Sequence, residues 1–428
     1  MTGRRTIFYG WYVLVGSVVI ELFGLGFGIF AITTVYPYII RAFPDWSRTL
    51  IFLPTTLIIL TVAALGPLVG TLIDRYPIRA VFAVGIVIES VALLLFSRVA
   101  TPAEYVASSV LLGVGMSCVT ILPNQVLVSR WFHQRIGLVN GIVLAATAMG
   151  AAMAPALITR LIEVSDWRAA FSLMAILAFA PPMVVVLALI RDRPEALGLQ
   201  PYGAATAADA AALSGAGISL GEAARLPFFW LFAAAVVLGG MPCYSFNKHI
   251  LVFLQELGYS PVAAADYKSF FFFVAGCARL SFGWLCDRFD KRMMTVAHFA
   301  MIAAGYPLLF LVPDHPGILL PCLFIVGVGY GGLLPAIPIL VVATFGRLHL
   351  GKILGVYKIS YDLAAAGAPL FTASMYDRYG GYAVPERWNA TFAWIGLALL
   401  AAAVRRQPAA ASLVPAPANV HAQKAVGR

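Results

Sequence analysis

The chain has 428 residues, 61% of them hydrophobic and 11% charged, against about 45–50% and 25% in a soluble domain, which excludes a water-soluble globular fold. Its formal net charge of +10 does not signal nucleic acid, because a nucleic-acid binder gathers its basic residues in one patch, whereas here they fall in short breaks between long apolar runs. The five cysteines, Cys118, Cys243, Cys277, Cys286 and Cys322, lie scattered inside apolar segments, a spacing that indicates no disulfide framework, metal cluster or cofactor.

In chain order, Met1 to Tyr9 carries Arg4 and Arg5 and leads into an apolar run too long for a signal-peptide core, so it reads as an uncleaved first span. Cutting at charged and Pro/Gly-rich breaks gives twelve predicted spans: 9–40, 48–73, 79–100, 104–129, 136–160, 167–190, 227–257, 261–286, 292–312, 317–345, 351–376 and 388–405. Each is long enough to cross or nearly cross ~30 Å of hydrocarbon. The expectation is an all-α membrane protein with the lipid bilayer as its solvent. Lys and Arg concentrate in the breaks on the amino-terminal side, among them Arg75, Arg79, Arg130, Arg135 and Arg191. By the positive-inside rule both termini are then cytoplasmic, in a bacterial inner membrane. The Ala/Gly/Ser-rich stretch between the sixth and seventh spans reads as a connector. The expected division is a six-helix bundle over 1–190, a cytoplasmic linker over 191–226, a second six-helix bundle over 227–406 and a disordered tail over 407–428.

The two bundles are duplicates. Gly70-Thr-Leu-Ile-Asp74-Arg75 after the second span recurs as Gly283-Trp-Leu-Cys-Asp287-Arg288 after the eighth, an offset of 213. Gly113 and Gly115 recur as Gly327 and Gly329, and Gly141 and Pro155 as Gly355 and Pro369, at an offset of 214. Three matches at nearly one offset define an internal repeat of six spans.

The Gly-Asp-Arg loops resemble the signature loop of the major facilitator superfamily. Tyr9-Gly-Trp-Tyr12, Arg193-Pro-Glu-Ala-Leu-Gly-Leu199 and Phe229-Trp230 further resemble its branch of monocarboxylate transporters and oxalate:formate antiporters. The resemblance implies a major facilitator fold with substrate at the midplane between two pseudo-symmetric bundles. It also implies a conformational latch at the cytoplasmic helix ends, made by Gly70, Asp74, Arg75, Gly283, Asp287 and Arg288. There the glycines allow close helix approach and the acids meet helix amino termini or arginines.

Ionisable groups inside spans are costly and default to function. Arg279 on the eighth span and Lys358 on the eleventh lie roughly 12 Å and 10 Å from the cytoplasmic side at ~1.5 Å per residue. A shared depth lets a guanidinium fork and a point charge hold one carboxylate. An arginine and a lysine on these two helices bind substrate carboxylates in the oxalate:formate antiporters, which is what the resemblance implies here. Asp362, one turn after Lys358, is its counter-ion. In the first half the repeat partners of Arg279, Lys358, Asp362 and Tyr330 are Gly66, Leu144, Ala148 and Met116. One charged wall facing one apolar wall suits an amphiphilic small anion.

Tyr330, Tyr357 and Tyr361 are candidates to complete the carboxylate's hydrogen bonds, and Leu144 and Met116 to contact its hydrocarbon. Asn247 and His249, near the outer end of the seventh span, are candidates for gating or proton relay, while Lys248 reads as snorkelling to the interface. Glu21 is the candidate proton carrier, and Glu89 reads as packing on a peripheral third helix. The expected function is secondary transport of a small mono- or dicarboxylate by a monomer, coupled to protons or to a counter-anion. A drug or neutral-solute exporter of the same fold and a non-transporting sensor are the alternatives. No Walker loop or catalytic constellation points to ATP coupling or to an enzyme.

Overall fold

The computed structural model describes residues 8–132, 135–203, 218–346 and 350–407. The expected tail over 407–428 and the middle of the expected linker lie mostly outside them. Twelve long helices follow one another: α1 (Gly10–Ala42), α2 (Arg48–Arg75), α3 (Ile78–Phe96), α4 (Pro102–Trp131), α5 (Ile136–Val164), α6 (Trp167–Ala188), α7 (Pro227–Glu256), α8 (Pro261–Arg288), α9 (Lys291–Leu311), α10 (Pro316–Phe345), α11 (Leu350–Tyr379) and α12 (Ala383–Arg405). Among the described residues eleven are long and apolar enough to span a membrane. The exception, α11, is 30 residues long but carries Lys352, Lys358, Ser360 and Asp362 along its first half, which lowers its hydropathy.

The duplication reappears in the helix starts. Ser47 caps α2 by accepting from Leu50 N at 3.1 Å, and Ser260, 213 residues on, caps α8 by accepting from Ala263 N at 3.2 Å. Each side-chain oxygen satisfies a backbone donor that has no partner within the helix. It reappears again in the packing. Within the first half α1 lies on α5 and α6, α2 on α4, and α3 on α4 and α6; adding six to each number gives the pairs of the second half. The halves join through α5 on α8 and α2 on α11, which exchange under the same rule. Two pseudo-symmetric six-helix bundles result. The helix directions put both described chain ends at one end of the molecule, here the termini end, with the opposite one the distal end.

Two helices break. α1 loosens into a π turn over Gly26–Phe30, beside the point where Gly26 and Gly150 of α5 meet so closely that a methyl group on either would lie 2.6 Å from the other's Cα. α4 breaks at Thr120, whose backbone is extended, and resumes at Ile121. Asn124 Nδ2 answers the carbonyls that the break releases, donating to Val119 O at 2.8 Å.

Candidate functional site

Arg279 sits half-buried on α8, where Gly331 of α10 lies against the α8 backbone near Arg279 N, 3.1 Å from an ideal Cβ. Its charge acts on the hydroxyls of Tyr330 on α10 and Tyr361 on α11. Its Nε is buried without a hydrogen-bond partner, and among the described residues no carboxylate pairs with it. Tyr361 is also within electrostatic reach of Asp362, which holds Lys358 Nζ at 2.5 Å. The Lys358 side chain is 66% exposed and that of Asp362 19%, so the cation is the more accessible member of the pair. Tyr244 of α7 meets Tyr361 at 5.0 Å and Tyr330 at 6.0 Å between ring centroids, closing an aromatic wall that the sequence reading did not include. Asn247 belongs to this wall too: its Nδ2 donates to Tyr330 Oη at 3.4 Å and its Oδ1 is buried without a partner.

Two expected contacts point elsewhere. Tyr357 is fully buried, donates its hydroxyl to Phe229 O at 3.1 Å and packs on Phe229 and Phe232; at one residue from Lys358 it lies on another face of α11. Met116 is buried against Gly28 of α1 beside Glu89, inside the first half. Leu144 is half-buried on α5. One turn along, Ala148 reaches Gly276 of α8, 3.3 Å from an ideal Cβ. Leu144 and Arg279 therefore both lie about one turn toward the termini end from that crossing, consistent with an apolar wall facing a cationic one.

The distal end is closed between the halves. Asp377 of α11 accepts from the α2 amino terminus, Arg48 N at 2.8 Å and Thr49 N at 2.9 Å, and from Thr49 Oγ1 at 2.6 Å. Arg48 bridges Glu256 at 3.0 Å, and Arg160 bridges Asp266 at 2.9 Å. His249 lies just beneath. Its ring stacks on Phe52 of α2 at 3.7 Å, and its nitrogens meet Tyr382 Oη at 2.9 Å and Pro369 O at 3.0 Å. Because the carbonyl only accepts, Nε2 carries the hydrogen and Nδ1 accepts from the tyrosine.

At the termini end the expected latch residues show no ion pair with one another among the described residues. Asp74 and Arg75 are exposed with no ion pair among the described residues, Arg288 lies over the Trp284 ring at 4.0 Å, and the Asp287 side chain is outside those described. The close approach expected at Gly70 and Gly283 is absent among the described residues, where a Cβ on either would have nothing within 4 Å.

Four buried ionisable groups lie deeper in the halves, and two of them, Glu89 and Lys248, differ from expectation. Glu21 accepts from Asn124 Nδ2 at 3.2 Å and Thr147 Oγ1 at 3.3 Å. Glu89 is not peripheral: it faces α1 and α4, lies close enough to Glu21 for their charges to interact, and both its carboxyl oxygens are buried without partners among the described residues. Lys248 does not snorkel; it is 4% exposed, with Nζ 5.0 Å from the Phe30 ring centre, because its stem starts too far inside α7 to reach the surface. Lys268, which the sequence reading passed over, is fully buried and donates to Thr33 Oγ1 at 2.6 Å. Its position seven residues inside the eighth span was the available signal.

The family model described as Major Facilitator Superfamily matches residues 18–314 and, overlapping, 250–427. Among curated proteins, the chain is 29% identical over 152 residues to a fujikurins efflux protein of Gibberella fujikuroi, a match covering 35% of this chain and 32% of that protein. It is 26% identical over 337 residues to the probable nitrate/nitrite transporter NarK2 of Mycobacterium tuberculosis, covering 74% and 77%. Among solved structures, a bacterial homolog of the human lysosomal transporter Spinster, inward-facing and occupied, superposes with a TM-score of 0.78 at 17% identity, covering 96% of this chain and all of that one.

Proposed function

The chain belongs to the Major Facilitator Superfamily, and from that premise we propose that it carries a small organic anion, a mono- or dicarboxylate, by alternating access across a bacterial inner membrane with both termini in the cytoplasm. Residues 1–190 and 227–406 rock as two bodies in one monomer, joined by a cytoplasmic linker over 191–226. The reading rests on Arg279, a guanidinium facing two tyrosines, with a buried, unbonded Nε and no carboxylate partner among the described residues. Such a cation is costly inside a bilayer until an anion reaches it. Similarity to a nitrate/nitrite transporter supports an anionic cargo.

The carboxylate enters from the termini end and meets the exposed Lys358 first. Competition with Asp362 for that ammonium loosens the ion pair and passes the anion to Arg279, whose fork binds both oxygens. Tyr330 and Tyr361 donate the remaining hydrogen bonds, and Leu144 faces the hydrocarbon. Asp74, Arg75, Asp287 and Arg288 latch the termini end as it closes, while the distal contacts part.

Reconstituted protein is expected to take up labelled oxalate or lactate. Arg279→Lys should lower uptake by at least tenfold, because an ammonium offers no bidentate fork. Wild-type transport of neutral sugars or amines with none of acids would overturn the proposal and favour an exporter of neutral solutes.

A further inference from the structure

Beyond the Arg279 cluster, α7 and α8 bury two more cations at one depth. Lys248 lies eight residues inside Glu256 and Lys268 seven inside Pro261, hence ~12 Å and ~10 Å below the distal end at ~1.5 Å per residue. They are 4% and 0% exposed, and each lies in the other's field. One has a single hydroxyl, Thr33, and the other an aromatic face, Phe30. Among the described residues neither forms an ion pair. Both partners come from α1 at and just after its π turn, a distortion found often at functional sites.

Lys268 and Arg279 are eleven residues apart, three helical turns plus about 20°, so they share one stripe of α8. Between them on that stripe stands Phe272, whose ring meets Phe30 edge-on at 5.2 Å and Tyr330 at 6.3 Å. An aromatic partition thus separates a cation pair at each depth. Arg279 and Lys358 lie toward the open end; Lys248 and Lys268 lie under the closed Arg48–Glu256 and Asp377 contacts. Protonating both amines with no carboxylate facing them sets two charges against each other, and an anion between them removes that repulsion while replacing lost solvation.

We propose that Lys248 and Lys268 form a second anion station, which receives the carboxylate from Arg279 past the Phe30–Phe272 contact and releases it when the distal end opens. The carboxylate class rests on the function proposed above; the station itself does not. It predicts that anions act on the protein at two places.

The test is thermal unfolding of the full chain in detergent, with sodium oxalate or sodium chloride replacing sodium HEPES at equal ionic strength. Arg279→Gln/Lys358→Gln should keep an anion-dependent rise in Tm of about 2 °C or more. Adding Lys248→Met and Lys268→Met, which keep length and remove charge, should abolish that rise and leave the anion-free Tm unchanged or higher. In proteoliposomes Lys248→Met/Lys268→Met alone should retain anion-dependent stabilisation but lose at least tenfold in exchange. Should the double change not fold, Lys248→Gln, with the Lys268–Thr33 bond intact, is scored the same way. A response to neither anion in Arg279→Gln/Lys358→Gln, or wild-type exchange without the lysines, overturns the station. A wild-type response to chloride but not oxalate that depends on the lysines upholds the station and overturns the carboxylate reading instead.

Discussion

Glu21 and Glu89 are the same residue type buried side by side, yet their surroundings set them different tasks. The Glu21 oxygens accept from an amide and a hydroxyl, whereas those of Glu89 accept from nothing in the described structure. A glutamine at 21 keeps both contacts, its Oε1 accepting from Asn124 Nδ2 and its Nε2 donating to the Thr147 hydroxyl, which accepts as well as donates, so Glu21→Gln should cost less than about 1 kcal/mol of stability. Glu89→Gln buries an NH2 that has no acceptor among the described residues and should cost about 1–3 kcal/mol. Denaturant melts of the purified variants compare them directly. We further expect Glu21→Gln to lose oxalate accumulation driven by an imposed pH gradient while retaining counterflow, the signature of a carrier separated from its proton. Equal loss of both activities would reduce Glu21 to a structural role. Neither environment was legible in the sequence, since periodicity places both acids at mid-depth and says nothing of their partners. Asn124 reaches Glu21 only because α4 breaks at Thr120; Pro123, which has no N–H for the carbonyl of Val119, signals that break in the sequence, but nothing there places Asn124 against Glu21.

At the scale of helices, the distal closure concentrates where α11 meets α2. Asp377 sits on the amino terminus of α2, accepting two backbone N–H groups and a hydroxyl, where helix polarity favours an anion. Charge-assisted bonds of this kind contribute about 1.5–3 kcal/mol each at most, with solvent lowering that at this exposed end. Asp377→Ala should therefore raise the distal-open population by roughly tenfold, about 1.4 kcal/mol. Electron–electron distance measurements between spin labels on the distal ends of α2 and α11 would report the longer population; an unchanged distribution would place the lock elsewhere. The twelve helices and their doubling were readable beforehand, because glycines, a proline and an aspartate repeat at nearly one offset, 213 or 214. Helix faces were less so. Tyr357 and Tyr361 are one turn apart and share the residue type, but a 40° difference turns the first into the α7 packing and leaves the second beside Arg279.

For the whole molecule, the asymmetry between ends matters as much as that between halves. One end is bonded shut across the halves, while at the other Gly70 and Gly283 face open space and Asp74 and Arg75 stand free of ion pairs among the described residues. If these glycines serve the state in which the termini end closes, bulk there is harmless now and obstructive later. Gly283→Ala meets no atom of the described residues within 4 Å and replaces a helix-interior glycine, a gain of about 0.5–1 kcal/mol. It should raise Tm, and Gly283→Leu should not lower it, while exchange falls by at least tenfold in the bulkier variant and spin labels stay in the distal-closed distribution. Substrate binding from the termini end should remain, because Arg279 lies about one turn deeper. A Gly283→Leu protein that exchanges oxalate at the wild-type rate would mean the helices never approach at this glycine, and the signature loop would then act through its charges alone.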